Sequence, residues 1–290
     1  MKKLSAKLAF SPTMLAVLVV YVGCITWTVV ISFTASKLLP DYTFVGLQNY
    51  HDIFGAGRWI TSLTNLALYA VTYIGGCLFI GYFLAICIDQ GVKAEGVFRT
   101  AFLFPHSVSF IVTGLVWQWL LNPQYGIQDF IHKLGWTSFS FDPLGDRNLA
   151  IFAVAFAAIW HGSGFVMALL LAGLRGVDSE IWKASQIDGI PKWRMYKDVV
   201  APMLLPIFVT CFVLLSAGSI KSYDVVVAMT GGGPGIATEV PAKFVLDYMF
   251  DRAIIGRATA GATVMLLTVG IIAAPGLYYA RFKKLQRSGR

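Results

Sequence analysis

"KASQIDGIPKWRMYKDVVAP", residues 183–202, is a polar stretch set between two long apolar runs, 149–171 and 203–229. Its setting decides how it must be read. The chain has 290 residues, of which 57% are apolar and 13% charged, with a mean hydropathy of +0.69. Ordinary soluble domains are about 45–50% apolar and about 25% charged. These values define a membrane protein. Hydrocarbon cannot satisfy backbone polar groups, so a span must be a helix of about 20 mostly apolar residues.

Six stretches have that length: 10–33, 61–88, 98–121, 149–171, 203–229 and 258–280. The expected fold class is therefore all-α, a polytopic membrane helix bundle of six transmembrane helices forming one membrane domain over residues 1–290. Lys221 and Asp224 interrupt the fifth stretch. The first follows "MKKLSAK", and its apolar run exceeds the about 7–15 residues of a secretory signal, so it reads as a retained anchor. Pro105, Pro206, Pro275 and the pair Gly75-Gly76 fall inside spans and predict bends.

Of the 23 Lys and Arg residues, 15 fall on one side of this topology and 8 on the other. The richer side holds both termini, the loop around Lys93 and the 172–202 loop; by the positive-inside rule it is cytoplasmic. The net charge of +8 is thus an orientation signal. No basic stripe interleaved with exposed aromatics points to nucleic acid. The four cysteines, Cys24, Cys77, Cys87 and Cys211, lie in spans without the close pairing of a metal or redox site, and read as packing residues.

Within the opening stretch and the residues before it, Asp178 or Ser179 is placed to cap a short helix, and Glu180 lies in its first turn. Gly189 suits the left-handed position at its end, and Pro191 the first turn of a second helix. A helix, a glycine turn and a helix follow over 178–200. Trp182 and Trp193 fit either an interfacial helix on the inner leaflet or a docking element for a cytoplasmic partner.

The spacing resembles the cytoplasmic signature of the integral membrane permease subunits of bacterial binding-protein-dependent ABC importers, specifically the carbohydrate-uptake group. That signature is Glu-Ala-Ala, three residues, Gly, nine residues, then Ile, any residue and Leu-Pro. Here Lys183, Ala184 and Ser185 precede Gly189, "QIDG" keeps Asp188 beside it, and Val199, Val200, Ala201 and Pro202 complete the register. Lys183 stands where the family usually has Glu. "FVGLQNYHDIF", "FRTAFLFPHSVSFIVTGLVWQWLLNPQYGI" and "DVVVAMTGGGPGIAT" extend the resemblance over most of the chain. "HGSGFVMALLLAGLRGVD" and "IKSYDVVVAMTGGGPG" look closest to glucose and alpha-glucoside permeases of the maltose and glycerol-phosphate type.

The resemblance implies a second homologous permease, two ATP-binding cassette subunits and an extracytoplasmic sugar-binding protein as partners, in the bacterial inner membrane. It implies alternating access driven by ATP hydrolysis in the partners, with the 178–200 loop as the coupling helix region. Its ATPase-coupling residues would be Lys183, Ala184, Ser185, Asp188, Gly189 and Pro202. ATP and magnesium would be bound by the partner ATPases, leaving no cofactor in this chain. In related sugar permeases, polar side chains shortly before "GGGP" contribute to the sugar site, which here implies Ser219, Lys221, Ser222, Tyr223 and Asp224. Trp160, His161 and Ser163 of the fourth span are the opposing candidates, with an aromatic ring to stack on a sugar and polar groups to bond its hydroxyls. Lys221 and Asp224, three residues apart, are placed to pair on one helix face.

Catalysis is not expected. "TGGGPG" is followed by Ile236, Ala237 and Thr238, without the Lys that a phosphate-cradling loop needs. His51, His106, His132 and His161 are scattered, and no Cys/His cluster has metal-ligand spacing. An ion-coupled secondary transporter or channel for small polar solutes is the competing function. It predicts repeat symmetry or buried charge relays, and neither is found beyond Lys221 and Asp224.

Overall fold

The computed structural model describes residues 11–288, with side chains through Ile271. The basic stretch 1–10 and the side chains of the C-terminal tail, both used above for orientation, lie outside that description, as does the side chain of Pro275. Among the described residues nearly everything is helical, and the one β pairing is an isolated bridge between Thr34 and Phe44.

We number the helices α1 (Ser11–Ile31), α2 (Gln48–Gly55), α3 (Gly57–Asp89), α4 (Glu95–Ser107), α5 (Phe110–Leu120), α6 (Ile127–Lys133) and α7 (Ala150–Leu174). Next come α8 (Ser179–Ile187), α9 (Lys192–Met203), α10 (Leu205–Ile220), α11 (Tyr223–Thr230), α12 (Pro241–Leu246) and α13 (Ile255–Ser288). Of the described helices, three are long and apolar enough to cross a membrane, namely α1, α3 and α7. The bent pairs α4–α5 and α9–α10 bring that to five if each is one span. The expected sixth stretch lies in α13, whose described apolar part is the shorter Ile255–Ile271.

Two expected spans are broken. The stretch 98–121 bends by 98° between α4 and α5. Pro105 sits within the last turn of α4, and the chain turns extended at Val108 and Ser109, where Ser109 accepts a hydrogen bond from Val112 N and starts a new helix. The stretch 203–229 is also discontinuous: α10 ends at Ile220, Lys221 and Ser222 form a turn, and α11 begins at Tyr223. Pro206 lies in the first turn of α10, next to a 71° bend from α9, where its missing N–H costs no hydrogen bond.

The described residues form two compact units. The first joins the residues up to Ile60 with Pro241–Thr268. Its centre is Trp59, packed on Phe244 with ring centroids 4.9 Å apart, and Phe244 in turn stacks on Tyr248. Asp247 gathers Arg58 and Lys243, and Arg257 pairs with Asp52 at 2.5 Å. Asn49 is buried and donates to the carbonyls of Ser32 and Thr34 at 2.9 and 2.8 Å, closing the loop after α1.

The second unit comprises 61–240 and 269–290. Helix α7 is its axis, with 72% of its most apolar stretch buried. Small residues let neighbours come close: Gly81 of α3 faces Val166, Gly162 faces Tyr73, and Gly164 lies against the backbone of Phe102 in α4. A Cβ at Gly164 would sit 1.8 Å from the Phe102 carbonyl oxygen, so only glycine fits that crossing. Cys77 and Cys211 are buried, as packing residues are, whereas Cys24 and Cys87 are exposed.

Candidate functional site

The 178–200 loop has the form its residues predict. The Asp178 side chain accepts from Glu180 N at 2.9 Å and caps α8, and Gly189 takes φ +67° after Asp188. Ile190 N then donates to Ser185 O at 3.0 Å, which folds the chain back before Pro191 opens α9. Lys183, Ala184, Asp188, Gly189 and Pro202 are exposed. Ile187 is 86% and Trp193 60% accessible, so this corner presents apolar and basic groups together outward. Ser185 faces inward instead, and its hydroxyl donates to Trp182 O at 2.8 Å.

The residues that hold the corner were not singled out from sequence. The Tyr196 hydroxyl donates to Asp89 Oδ2 at 3.0 Å and accepts from Gln90 Nε2 at 2.8 Å. Lys192 Nζ donates to Gln90 Oε1 at 3.1 Å, and the Tyr82 hydroxyl donates to Tyr196 O at 2.7 Å. Trp182 packs edge-on to Tyr196 at 5.3 Å. The C-terminal half of α3 and Gln90 just after it thus hold α9 through four hydrogen bonds, two of them made by the Tyr196 hydroxyl. The pair "DQ" closing an apolar span was the available signal, but its partner lies more than 100 residues away.

The substrate candidates occupy different environments. Trp160 is partly exposed and meets Trp117 edge-on at 6.0 Å. His161 is buried in mid-helix, where Nε2 bonds the carbonyl of Val108 at 3.0 Å and the ring stacks on Phe110 at 4.0 Å. It therefore satisfies a carbonyl that the α4–α5 break frees, while Nδ1 has no protein partner. Ser163 and Ser219 are buried, and the Ser219 hydroxyl donates to Ser216 O at 2.8 Å.

Ser222 is buried with an unpartnered hydroxyl, Tyr223 is half-buried, and Lys221 and Asp224 are exposed. Among the described residues no ion pair joins Lys221 to Asp224: the helix breaks between them, so the three-residue spacing no longer places them on one face. Among the described residues no group of three or more His, Cys, Asp or Glu side chains is arranged to hold a metal ion. The "GGGPG" stretch is a turn in which Gly231, Gly232 and Gly235 have positive φ, pinned by Thr230 and Thr238 through their hydroxyls at 2.6 Å.

A helical bundle with broken spans, and a polar helical corner clamped to the end of α3, define a class of membrane permease. Residues 77–284 match the family described as the binding-protein-dependent transport system inner membrane component, and the chain belongs to that family. It is a transport component and not an enzyme, which also displaces the ion-coupled alternative. A probable ABC transporter permease protein of Pyrococcus horikoshii is 33% identical over 258 residues, covering 88% of each chain. The xylose/arabinose import permease protein of Haloferax volcanii is 31% identical over 274 residues, covering 92% of this chain and 85% of its own. The fold is also that of a chain in a bacterial ABC transporter importing alginate, with a TM-score of 0.81 at 15% identity over 97% of each chain.

Proposed function

We propose that this chain is a permease subunit of an ABC importer for sugars. In this reading it forms the pathway with a second permease, takes its energy from two ATP-binding cassette subunits that hold ATP and magnesium, and receives substrate from an extracytoplasmic binding protein. The relatives named for xylose/arabinose, trehalose/maltose and starch degradation products support a carbohydrate substrate. Both termini and the 178–200 loop face the cytoplasm, and six spans cross the inner membrane.

The observation that carries the coupling role is the clamped corner. Ile187 and Trp193 are exposed beside Lys183, while Tyr196 behind them is fixed to α3 by hydrogen bonds. Force applied to the exposed face therefore reaches a membrane helix without being lost in a soft loop. Lys183 asks for a carboxylate on the ATPase, the reverse of what a Glu there would need. Ser219 and Ser222, with His161 and Ser163 of α7, are the buried polar groups for sugar hydroxyls. Trp160 supplies the apolar face, and Lys221, Tyr223 and Asp224 lie at the rim.

The test is co-purification of the ATPase with Gly189→Val and Ile187→Asp variants, together with sugar-stimulated ATP hydrolysis against a panel of monosaccharides, disaccharides and polyols. Both variants should lose the ATPase while the permease pair stays assembled. Full retention of the ATPase and of uptake would refute the coupling role, and no stimulation by any carbohydrate would refute the substrate class.

A further inference from the structure

A cavity of about 410 Å³ lies between the end of α5, the 122–148 loop and the "GGGP" turn, all within the second unit. It is separate from every substrate candidate named above. Four polar side chains line it: Gln118, Asn122, Asp142 and Thr230, and the Thr230 hydroxyl is already engaged with Val226 O and Thr238. The Asp142 carboxylate is held in place, since Oδ1 accepts from Gly145 N at 3.0 Å and Oδ2 lies over Gly145, where a Cβ would come within 2.3 Å of it. Asn122 Oδ1 accepts from Gln124 N at 2.8 Å, and that bond turns its NH₂ group away as a free donor. The Gln118 amide makes no hydrogen bond with other described residues.

Leu144, Met229 and Pro234 provide apolar wall, and no Lys, Arg or His lines the cavity. Its volume is in the range of small-molecule sites, about 300–1,000 Å³, which combine apolar surface with a few placed polar groups. A fixed carboxylate acceptor beside two primary amides suits the adjacent hydroxyls of a neutral polyol, with carbon-bound hydrogens against the leucine, methionine and proline surfaces. The carboxylate in the wall repels the charge of an acidic sugar.

We infer that this cavity is a second carbohydrate subsite, at the outer mouth of the pathway, where Asp142, Asn122 and Gln118 bond the hydroxyls of a neutral sugar. The inference rests on the reading of the chain as a sugar permease with the 122–148 loop outside. Binding there, before the buried serines, filters sugars by hydroxyl pattern, because an analogue lacking a bonded hydroxyl leaves the carboxylate without its donor.

The assay is sugar-stimulated ATP hydrolysis by the assembled complex in nanodiscs with its binding protein, using D-glucose, D-xylose, trehalose and glycerol and the deoxy analogues of whichever stimulates. Asp142→Asn keeps the oxygen that Gly145 N needs and removes the charge. It should raise the half-stimulating sugar concentration about tenfold, with basal hydrolysis and subunit assembly unchanged, and Gln118→Leu should act in the same direction. With the deoxy analogue that lacks the bonded hydroxyl, the Asp142→Asn penalty should vanish.

An unchanged half-stimulating concentration in both variants overturns the subsite and leaves the permease reading standing. A shift equal for all sugars, matched in titrations of the binding protein, makes this surface a protein-docking contact and also overturns it. Stimulation by none of the sugars overturns the sugar-permease reading and the subsite with it.

Discussion

Replacing Gly164 by alanine tests the helix crossing on which the second unit is built. The new Cβ would lie 1.8 Å from Phe102 O and 2.6 Å from Phe102 C, both backbone atoms of α4. No rotamer change can relieve such a clash, so α4 and α7 must separate by roughly 1 Å along much of their contact, and a close-packed interior resists that. Overpacking costs about 1–3 kcal/mol, against about 0.5–1 kcal/mol recovered because alanine is the better helix former. The control is Gly75→Ala in α3, where an added Cβ meets nothing within 4 Å, so only the gain remains.

The propensity gain is common to both, so the two variants should differ by the overpacking cost, about 1–3 kcal/mol, a separation in melting temperature on the order of 2–10 °C with Gly164→Ala the lower. Thermal unfolding in nanodiscs, followed by a thiol-reactive dye as the buried Cys77 and Cys211 become accessible, reads this directly. A Gly164→Ala protein as stable as Gly75→Ala would refute the close crossing of α4 and α7.

Two further perturbations probe the first unit and the 178–200 corner. Burial pushes the Asp247 carboxyl up, but hydrogen bonds from Lys243 and Arg58 outweigh it and hold the group below the usual carboxylate range. A depressed folded value means that its contribution is present above the ordinary carboxylate value, near pH 4, and is lost as the pH falls through the folded value. Asp247→Asn should thus cost about 1–3 kcal/mol at pH 7, and the deficit should shrink steadily as the pH is lowered below the ordinary carboxylate value; a deficit independent of pH would count against the pairing. Tyr196→Phe removes the hydroxyl that bonds Asp89 and Gln90. Hydrogen exchange across 179–197 should accelerate by about tenfold, and unchanged exchange would show that the clamp does not hold the loop.

Much of the architecture was legible along the chain because it depends on local pattern. An apolar run of about 20 residues must be helical in lipid, whatever its neighbours do. Asp178 as a cap and Gly189 in the left-handed region follow from side-chain chemistry within a few residues, and the structure places both as the sequence predicts. The family, too, lies in a linear register, from Lys183 through Gly189 to Pro202.

Where a helix breaks was less legible. Pro105 advertises a disturbance, but the 98° bend falls at Val108 and Ser109, where His161 from another helix donates to the stray Val108 carbonyl and Ser109 caps the new start. The same reason separates Lys221 from Asp224, whose spacing implied a pair only while the helix was assumed continuous. The partners of Tyr196 and the walls of the cavity beside Asp142 were invisible for a related reason. Each joins residues about 20 to more than 100 positions apart, and their chemistry exists only once the helices are packed. The sequence by itself determined which segments are helical, where the polar corner lies and to which family the chain belongs. Tertiary structure alone decided which polar groups meet, because long-range hydrogen bonds and close backbone contacts are set by packing and leave no local periodicity to read.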